Sequence, residues 1–165
     1  MSSTSPLTYS SGNPYRGFRD MLTVYHQTGA RTSELAAAEV WEFVSGQIVL
    51  GKHKRSKSLR DAAVRRITLA GQALRIVGDL CQRRNPDDPI FTDAKGRPWN
   101  RYRLDTRFKL VRTRAGVRED ITIYSFRHLG ISQALMAGID AATVAKTVAK
   151  MAGTSIGMLE KVYAH

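Results

Sequence analysis

The spacing of apolar residues changes abruptly in the middle of this 165-residue chain. Residues 47–50 and 64–69 form two short stretches rich in β-branched residues, and a cationic stretch without helical periodicity separates them. This pattern predicts a hairpin with a long basic loop. On both sides of it, apolar residues recur every three or four positions, which predicts helices. We therefore expect an α+β fold, mainly α-helical, with a small antiparallel sheet packed on the helices.

The helical spacing recurs along the chain. Among the places where it occurs are Phe18, Met21, Leu22 and Tyr25; Glu34 and Leu35; Leu74, Val77, Leu80 and Cys81; Leu104, Phe108 and Val111; and Phe126 and Leu129. Residues 1–14 are rich in Ser, Thr, Pro and Gly, which predicts a flexible leader or linker remnant. Residues 15–165 are expected to form one domain.

The charge balance favours a polyanionic partner. Twenty-six Lys and Arg residues against 14 Asp and Glu give a formal charge of +12, and nucleic acid is the commonest partner of such a surface. Cys81 is the sole cysteine, which excludes an intramolecular disulfide and suggests a buried thiol in a reducing compartment. No apolar run approaches the roughly 20 residues that span a bilayer. We expect a cytoplasmic protein that has no membrane partner.

Two arginine segments and a tyrosine near the end of the sequence suggest phosphodiester chemistry. Cleavage without a metal requires cations on the nonbridging oxygens, a nucleophile and a proton donor for the leaving oxygen. Arg31 and Arg127 are candidates for the cations and Tyr163 for the nucleophile, with a lysine of the basic loop as donor. Because no Cys and His spacing indicates zinc and no carboxylate pair indicates two metals, we expect neither metal nor cofactor.

The order and spacing of these motifs resemble the catalytic domain of tyrosine recombinases, the phage integrase group. The resemblance runs from about Tyr15 to His165. Its parts are Thr28-Gly29-Ala30-Arg31 with Ser33-Glu34-Leu35, His53-Lys54, Arg66-Ile67-Thr68-Leu69, Ile123-Tyr124-Ser125-Phe126-Arg127-His128, and Gly153-Thr154-Ser155-Ile156 followed by Tyr163. Each part alone is weak evidence, but their order is specific.

The resemblance implies a role for each matching residue. Arg31 and Arg127 would grip the scissile phosphate, Lys54 would protonate the departing 5′ oxygen, and Tyr163 would form a 3′-phosphotyrosine bond. It also implies site-specific recombination of double-stranded DNA, with recombinase protomers forming a tetramer on DNA in the full-length protein. An N-terminal core-binding domain, usual in the family, is expected to be absent from this chain.

Two positions depart from the commonest family pattern. Tyr124 stands where most members have a histidine, and Gly153 stands where most have a histidine or tryptophan. A phenol can donate a hydrogen bond to phosphate but is a poor base at neutral pH, so the general base stays unassigned. His128 lies about 100° around a helix from Arg127, so we expect it to brace that arginine rather than contact substrate.

Further phosphate contacts are expected in two cationic regions. Lys52, Arg55 and Lys57 lie in the basic loop, where the register of the catalytic lysine is open, and Arg101 and Arg103 lie in a predicted helix. Contacts of this kind set affinity and register without reading base sequence.

Three other functions compete with an active recombinase. One is a DNA-binding integrase-like relic that has lost cleavage, which Tyr124 and Gly153 raise. Another is a type IB topoisomerase, which shares the chemistry but relaxes supercoils. The third is a basic RNA-binding or ribosomal protein, which the ordered set of motifs disfavours.

Overall fold

A computed structural model describes residues 15–50 and 64–136 of the chain. The elements of the first range are α1 (Arg16–Thr28), α2 (Thr32–Ala37), a 3-10 turn (Val40–Glu42), β1 (Phe43–Val44) and β2 (Gln47–Leu50). Those of the second range are β3 (Arg65–Thr68), α3 (Gly71–Cys81), α4 (Arg101–Arg114) and α5 (Ile123–Met136). The expected α+β fold, mainly helical with a small antiparallel sheet, is confirmed. The leader predicted at residues 1–14 lies outside the described residues.

The sheet has three strands rather than the two that the sequence predicted. β2 and β3 form the expected antiparallel pair, in which Leu50 lies opposite Arg65. The additional strand, β1, pairs with the other edge of β2 through a tight turn at Ser45 and Gly46, whose φ angles are 49° and 76°. Such left-handed turns suit the twist of a hairpin. A two-residue strand is too short to show the alternation on which prediction depends.

The core lies between one face of this sheet and the helices. Alternation along β2 and β3 buries Ile48 and Ile67 and leaves their strand neighbours more exposed. Helix α1 is central: it packs against α3 and α5 and contributes the fully buried Val24 and Tyr25.

Helix α5 packs on the core through Phe126, Arg127 and Gly130, and it leaves Leu129 of the apolar stripe exposed. Leu129 is 49% exposed, whereas Arg127 is only 4% exposed. The reason is Gly130, because a Cβ atom added there would lie 2.3 Å from the carbonyl oxygen of His26 in α1. The missing side chain lets the two backbones approach. Phe126 is half-buried, with its ring edge-on to those of His26 and Phe108.

Cys81, the last residue of α3, was expected to be a buried thiol, and the structure shows it only partly buried. Burial nevertheless raises the pKa of this thiol to about 11, which keeps it protonated at neutral pH. In residues 15–50 and 64–136, no helix has both the length and the apolar character needed to cross a membrane.

The close approach of α5 to α1 predicts an unusual effect of alanine. We expect Gly130→Ala to destabilise the fold by about 1–3 kcal/mol through overpacking, although alanine normally favours a helix over glycine by about 1 kcal/mol. Gly78→Ala in α3 is the matched control, because a Cβ atom added to Gly78 would meet no other atom within 4 Å. The control should be neutral or stabilising by up to about 1 kcal/mol. Urea unfolding measures both; equal stability of the two variants would contradict the contact.

Candidate active site

The guanidinium of Arg127 is buried against the end of α1. Its Nη1 donates a hydrogen bond to the carbonyl oxygen of Gly29. Gly29 ends the helix in a left-handed conformation, with φ of 57°, and its own N–H donates to the Tyr25 carbonyl at 3.0 Å. The carbonyl end of a helix carries partial negative charge, and a buried cation requires such acceptors. The end of α1 therefore stabilises the buried charge of Arg127.

Arg31 follows Gly29 by two residues and stands immediately before α2. Its side chain is 51% exposed. The carboxylate of Glu34 accepts the Arg31 backbone N–H at 2.8 Å and its Nη1 at 3.0 Å. A glutamate at the third position of a helix often reaches back in this way. Arg31 is thus attached to the start of α2 while much of its side chain stays open to solvent.

The structure brings the two predicted catalytic arginines to one segment of chain. Arg127 contacts the carbonyl of Gly29 from α5, and Arg31 leaves the same short connection between α1 and α2. The two residues are 96 positions apart in sequence, as the numbering shows. Their convergence depends on the packing of α5 on α1.

Glu34 also binds a second arginine. Arg65, the first residue of β3, places its Nε 3.3 Å from Oε1 and its Nη2 3.5 Å from Oε2 of Glu34. Burial acts to raise the pKa of Glu34, but the N–H of Arg31 and the charge of Arg65 together lower it below its usual value. Glu34 is therefore ionised at neutral pH and bridges two cations.

Neither Glu34 nor Arg65 was assigned a role from the sequence. Glu34 belongs to the resembling segment, and its position three residues after Arg31 at a helix start was a usable signal for the backbone contact. The contact of Arg65 joins residues 31 positions apart and has no local sequence signature.

Tyr124 and His128 lie together on the first turns of α5. Their ring centroids are 4.5 Å apart and the rings meet edge-on. Tyr124 is 55% exposed, and it lines a groove of about 750 Å³ between α2 and α4. Thr32, next to Arg31, opens on the same groove, as does Arg101. Tyr124, which stands where most family members have a histidine, therefore faces the groove beside the start of α2. The ring of His128 contacts the ring of Tyr124.

Tyr25 is a buried phenol that the sequence marked only as a core residue. Its hydroxyl has no hydrogen-bond partner among the described residues. Burial raises the pKa of Tyr25, and the nearby charge of Arg127 opposes that rise. The phenol is consequently neutral at physiological pH.

The two predicted DNA contacts on α4 have different surroundings. The side chain of Arg101 is 94% exposed, with the Asp105 carboxylate 3.9 Å away. That of Arg103 is only 26% exposed; it lies 3.5 Å from Asp93 and donates to the Pro98 carbonyl. Arg103 therefore secures the turn before α4, and Arg101 is the more accessible cation.

The remaining predicted site residues lie outside the described residues. They are Lys52, Lys54, Arg55, Lys57 and Tyr163, together with Gly153, which departs from the commonest family pattern. The proton donor, the nucleophile and the loop contacts to DNA stay predictions.

The structure combines a mainly helical domain, a small antiparallel sheet and two arginines, Arg31 and Arg127, that meet at the connection between α1 and α2. This is the architecture that the resemblance to tyrosine recombinase catalytic domains predicted. The sequence pattern described as the Phage integrase family matches residues 13–165. The chain therefore belongs to the phage integrase family. Comparison with curated proteins gave no match.

Solved structures share the fold at low sequence identity. The Tn1549 transposon integrase in complex with a circular intermediate DNA matches with a TM-score of 0.73 and 16% identity, over 94% of this chain and 56% of that one. The XerH site-specific recombinase bound to difH substrate gives 0.65 and 18%, over 94% and 45%. The XerA recombinase gives 0.64 and 16%, over 98% and 62%. This chain thus spans about half to three fifths of those chains.

The charged state of Glu34 predicts a pH dependence of stability. Because its pKa is lowered in the folded state, its contribution is present above the unfolded pKa of about 4.3 and is lost as the pH falls through the folded value. We expect Glu34→Gln to lower the free energy of unfolding by about 1–3 kcal/mol at neutral pH. The difference from wild type should shrink below about pH 4. Urea unfolding at a series of pH values checks this; a constant difference would contradict an ionised bridge.

Proposed function

We propose that this chain carries out DNA strand cleavage and rejoining in site-specific recombination, such as integration or excision. The proposal is supported first by membership of the phage integrase family over residues 13–165. It is supported also by neighbours whose structures contain an integrase or recombinase on DNA. Double-stranded DNA is the proposed substrate, and other recombinase protomers are the proposed partners of the whole protein.

The proposed reaction assigns one task to each predicted residue. The Tyr163 oxygen attacks phosphorus while its proton passes to a neighbouring group or to a phosphate oxygen. The bond from phosphorus to the 5′ oxygen breaks, and Lys54 gives that oxygen a proton. A 3′-phosphotyrosine link results, and attack by a 5′ hydroxyl reverses the step to rejoin a strand. The link conserves the energy of the phosphodiester bond, so neither ATP nor a metal is required.

The observation that carries the proposal is the attachment of Arg127 to the loop of Arg31. A phosphorane-like transition state gathers negative charge on its nonbridging oxygens, and fixed guanidinium groups stabilise that charge without reorganisation. Arg127 is fixed through Gly29 and Arg31 through Glu34. Two arginines held by backbone and carboxylate contacts are suited to clamp one phosphate.

A DNA-binding relic is the second candidate, and the surroundings of Tyr124 favour it. This phenol occupies the position where most family members place a histidine, and it is more than half exposed. A phenol there can position a phosphate by donating a hydrogen bond, yet it provides little general-base catalysis. Binding without cleavage would follow if the reaction depends on that base.

The nucleophile assignment predicts a covalent product. A pool of duplexes with a nick and randomised flanking sequence should give a protein–DNA band on a denaturing gel, because loss of the short nicked fragment prevents rejoining. Tyr163→Phe should abolish the band, a loss of at least about 1,000-fold given that the nucleophile itself is removed. Tyr102→Phe, an exposed tyrosine of α4, is the matched control and should retain it.

The outcomes separate the candidates. DNA binding without a covalent band in the wild-type protein would support the relic. A band that persists in Tyr163→Phe would refute the nucleophile assignment. Relaxation of supercoiled DNA by the protein alone would favour a type IB topoisomerase.

The two α4 arginines predict different responses to salt. If Arg101 contacts a phosphate, Arg101→Gln should reduce the slope of log affinity against log salt concentration by about 1. Arg103→Gln should instead lower stability, because it loses contacts with Asp93 and the Pro98 carbonyl. Fluorescence anisotropy with a labelled duplex measures the salt dependence of affinity, and urea unfolding measures the stability of each variant. Identical salt slopes for Arg101→Gln and wild type would exclude Arg101 as a phosphate contact.

A further inference from the structure

We propose that Arg65 is a positioning residue for the phosphate clamp: it orients Arg31 through their shared partner, the Glu34 carboxylate. The inference rests on the proposed function, because it concerns how Arg31 is aimed at a DNA phosphate.

Glu34 has two donors on each of its oxygens. Oε1 accepts Nη1 of Arg31 at 3.0 Å and Nε of Arg65 at 3.3 Å. Oε2 accepts the Arg31 backbone N–H at 2.8 Å and Nη2 of Arg65 at 3.5 Å. The carboxylate thus lies between two arginines that approach it from different segments: Arg31 from the connection before α2, and Arg65 from β3.

The fork of Arg65 is suited to fix the plane of this carboxylate. Two parallel N–H contacts to the two oxygens restrict rotation, whereas a single contact leaves the group free to turn. Oε1 is also the acceptor of the Arg31 guanidinium. When the carboxylate plane is fixed, the direction of Arg31 is fixed with it.

Exposure separates the two arginines by role. Arg31 is half exposed and stands at a helix start beside the groove, while Arg65 is largely covered by protein. The charge of Arg65 is balanced locally by Glu34, so it adds little net charge for DNA. An orienting role, rather than a direct phosphate contact, follows from this burial and pairing.

The position of Arg65 in the sheet adds a second consequence. It pairs with Leu50 in the last register pair of β2 and β3 that the structure describes. The predicted proton donor, Lys54, follows Leu50 by four residues. The Glu34 bridge therefore joins the Arg31 loop to the Leu50–Arg65 end of the β2–β3 pair.

The test compares Arg65→Gln with Arg66→Gln. Arg66 is the next residue of β3, is exposed, and loses the same charge on substitution. We expect Arg65→Gln to slow covalent complex formation by about 10-fold to 100-fold, as small misplacements of catalytic groups do. Arg66→Gln should leave that rate unchanged. Arg65→Lys should not restore it, because lysine lacks the planar fork.

Two additional measurements distinguish positioning from general damage. In an Arg31→Gln background, Arg65→Gln should have no further effect on the rate. On a duplex with an uncharged methylphosphonate at the cleavage position, the defect of Arg65→Gln should shrink, because less negative charge must be neutralised. Multiplicative loss in the double variant, or an undiminished defect on the neutral substrate, would overturn the proposal.

A measurement without DNA keeps the proposal independent of the reaction. The Arg31 Nε–Hε resonance in an NMR spectrum should shift in Arg65→Gln and stay in place in Arg66→Gln. If wild type forms no covalent complex, the proposed function fails, yet a shifted resonance would still support the bridge. An unshifted resonance would overturn the role of Arg65 whatever the activity.

Discussion

A buried arginine on α5 needs acceptors, and the carbonyl end of α1 provides one. The hydrogen bond from Arg127 to Gly29 requires α5 to lie very close to α1, which Gly130 permits because it has no side chain to collide with the His26 carbonyl. An uncompensated charge at that depth would be costly. The α1–α5 packing, the left-handed end of α1 and the placement of Arg31 two residues later are therefore parts of one arrangement.

The presence of a glutamate in the proposed phosphate site has a physical explanation. Arg31, just before α2, and Arg65, in β3, approach the same carboxylate, and like charges brought close together repel. The Glu34 carboxylate between them removes that repulsion and provides acceptors for both. One negative charge against Arg31, Arg65 and Arg127 still leaves a cationic site. Positioning and attraction of a phosphate are thus compatible.

Sequence reasoning succeeded where local pattern determines structure. The apolar spacing of α1 and the alternation of β2 and β3 are local, and the motifs around Arg31 and Arg127 could be recognised as a set. It failed where long-range contact decides. Of the apolar stripe of α5, Phe126 packs against the core but Leu129 is exposed, and hydrophobic spacing did not reveal that Gly130 and the buried Arg127 form the rest of the contact face. The bridge to Arg65 left no trace that could be read from one chain.

The Tyr124 substitution changes what the groove beside α2 can offer a phosphate. A histidine at that position can both donate and accept a proton, whereas a phenol chiefly donates. The ring of Tyr124 lies against His128 one turn later, so the hydroxyl is presented from a supported ring rather than from a freely moving one. Such a donor can bind a nonbridging oxygen alongside the arginines. In the proposed reaction, removal of a proton from the attacking hydroxyl then falls to another group or to the phosphate itself. That reaction would therefore depend more on the clamp geometry set by Arg127 and Glu34 than it would with a histidine at position 124.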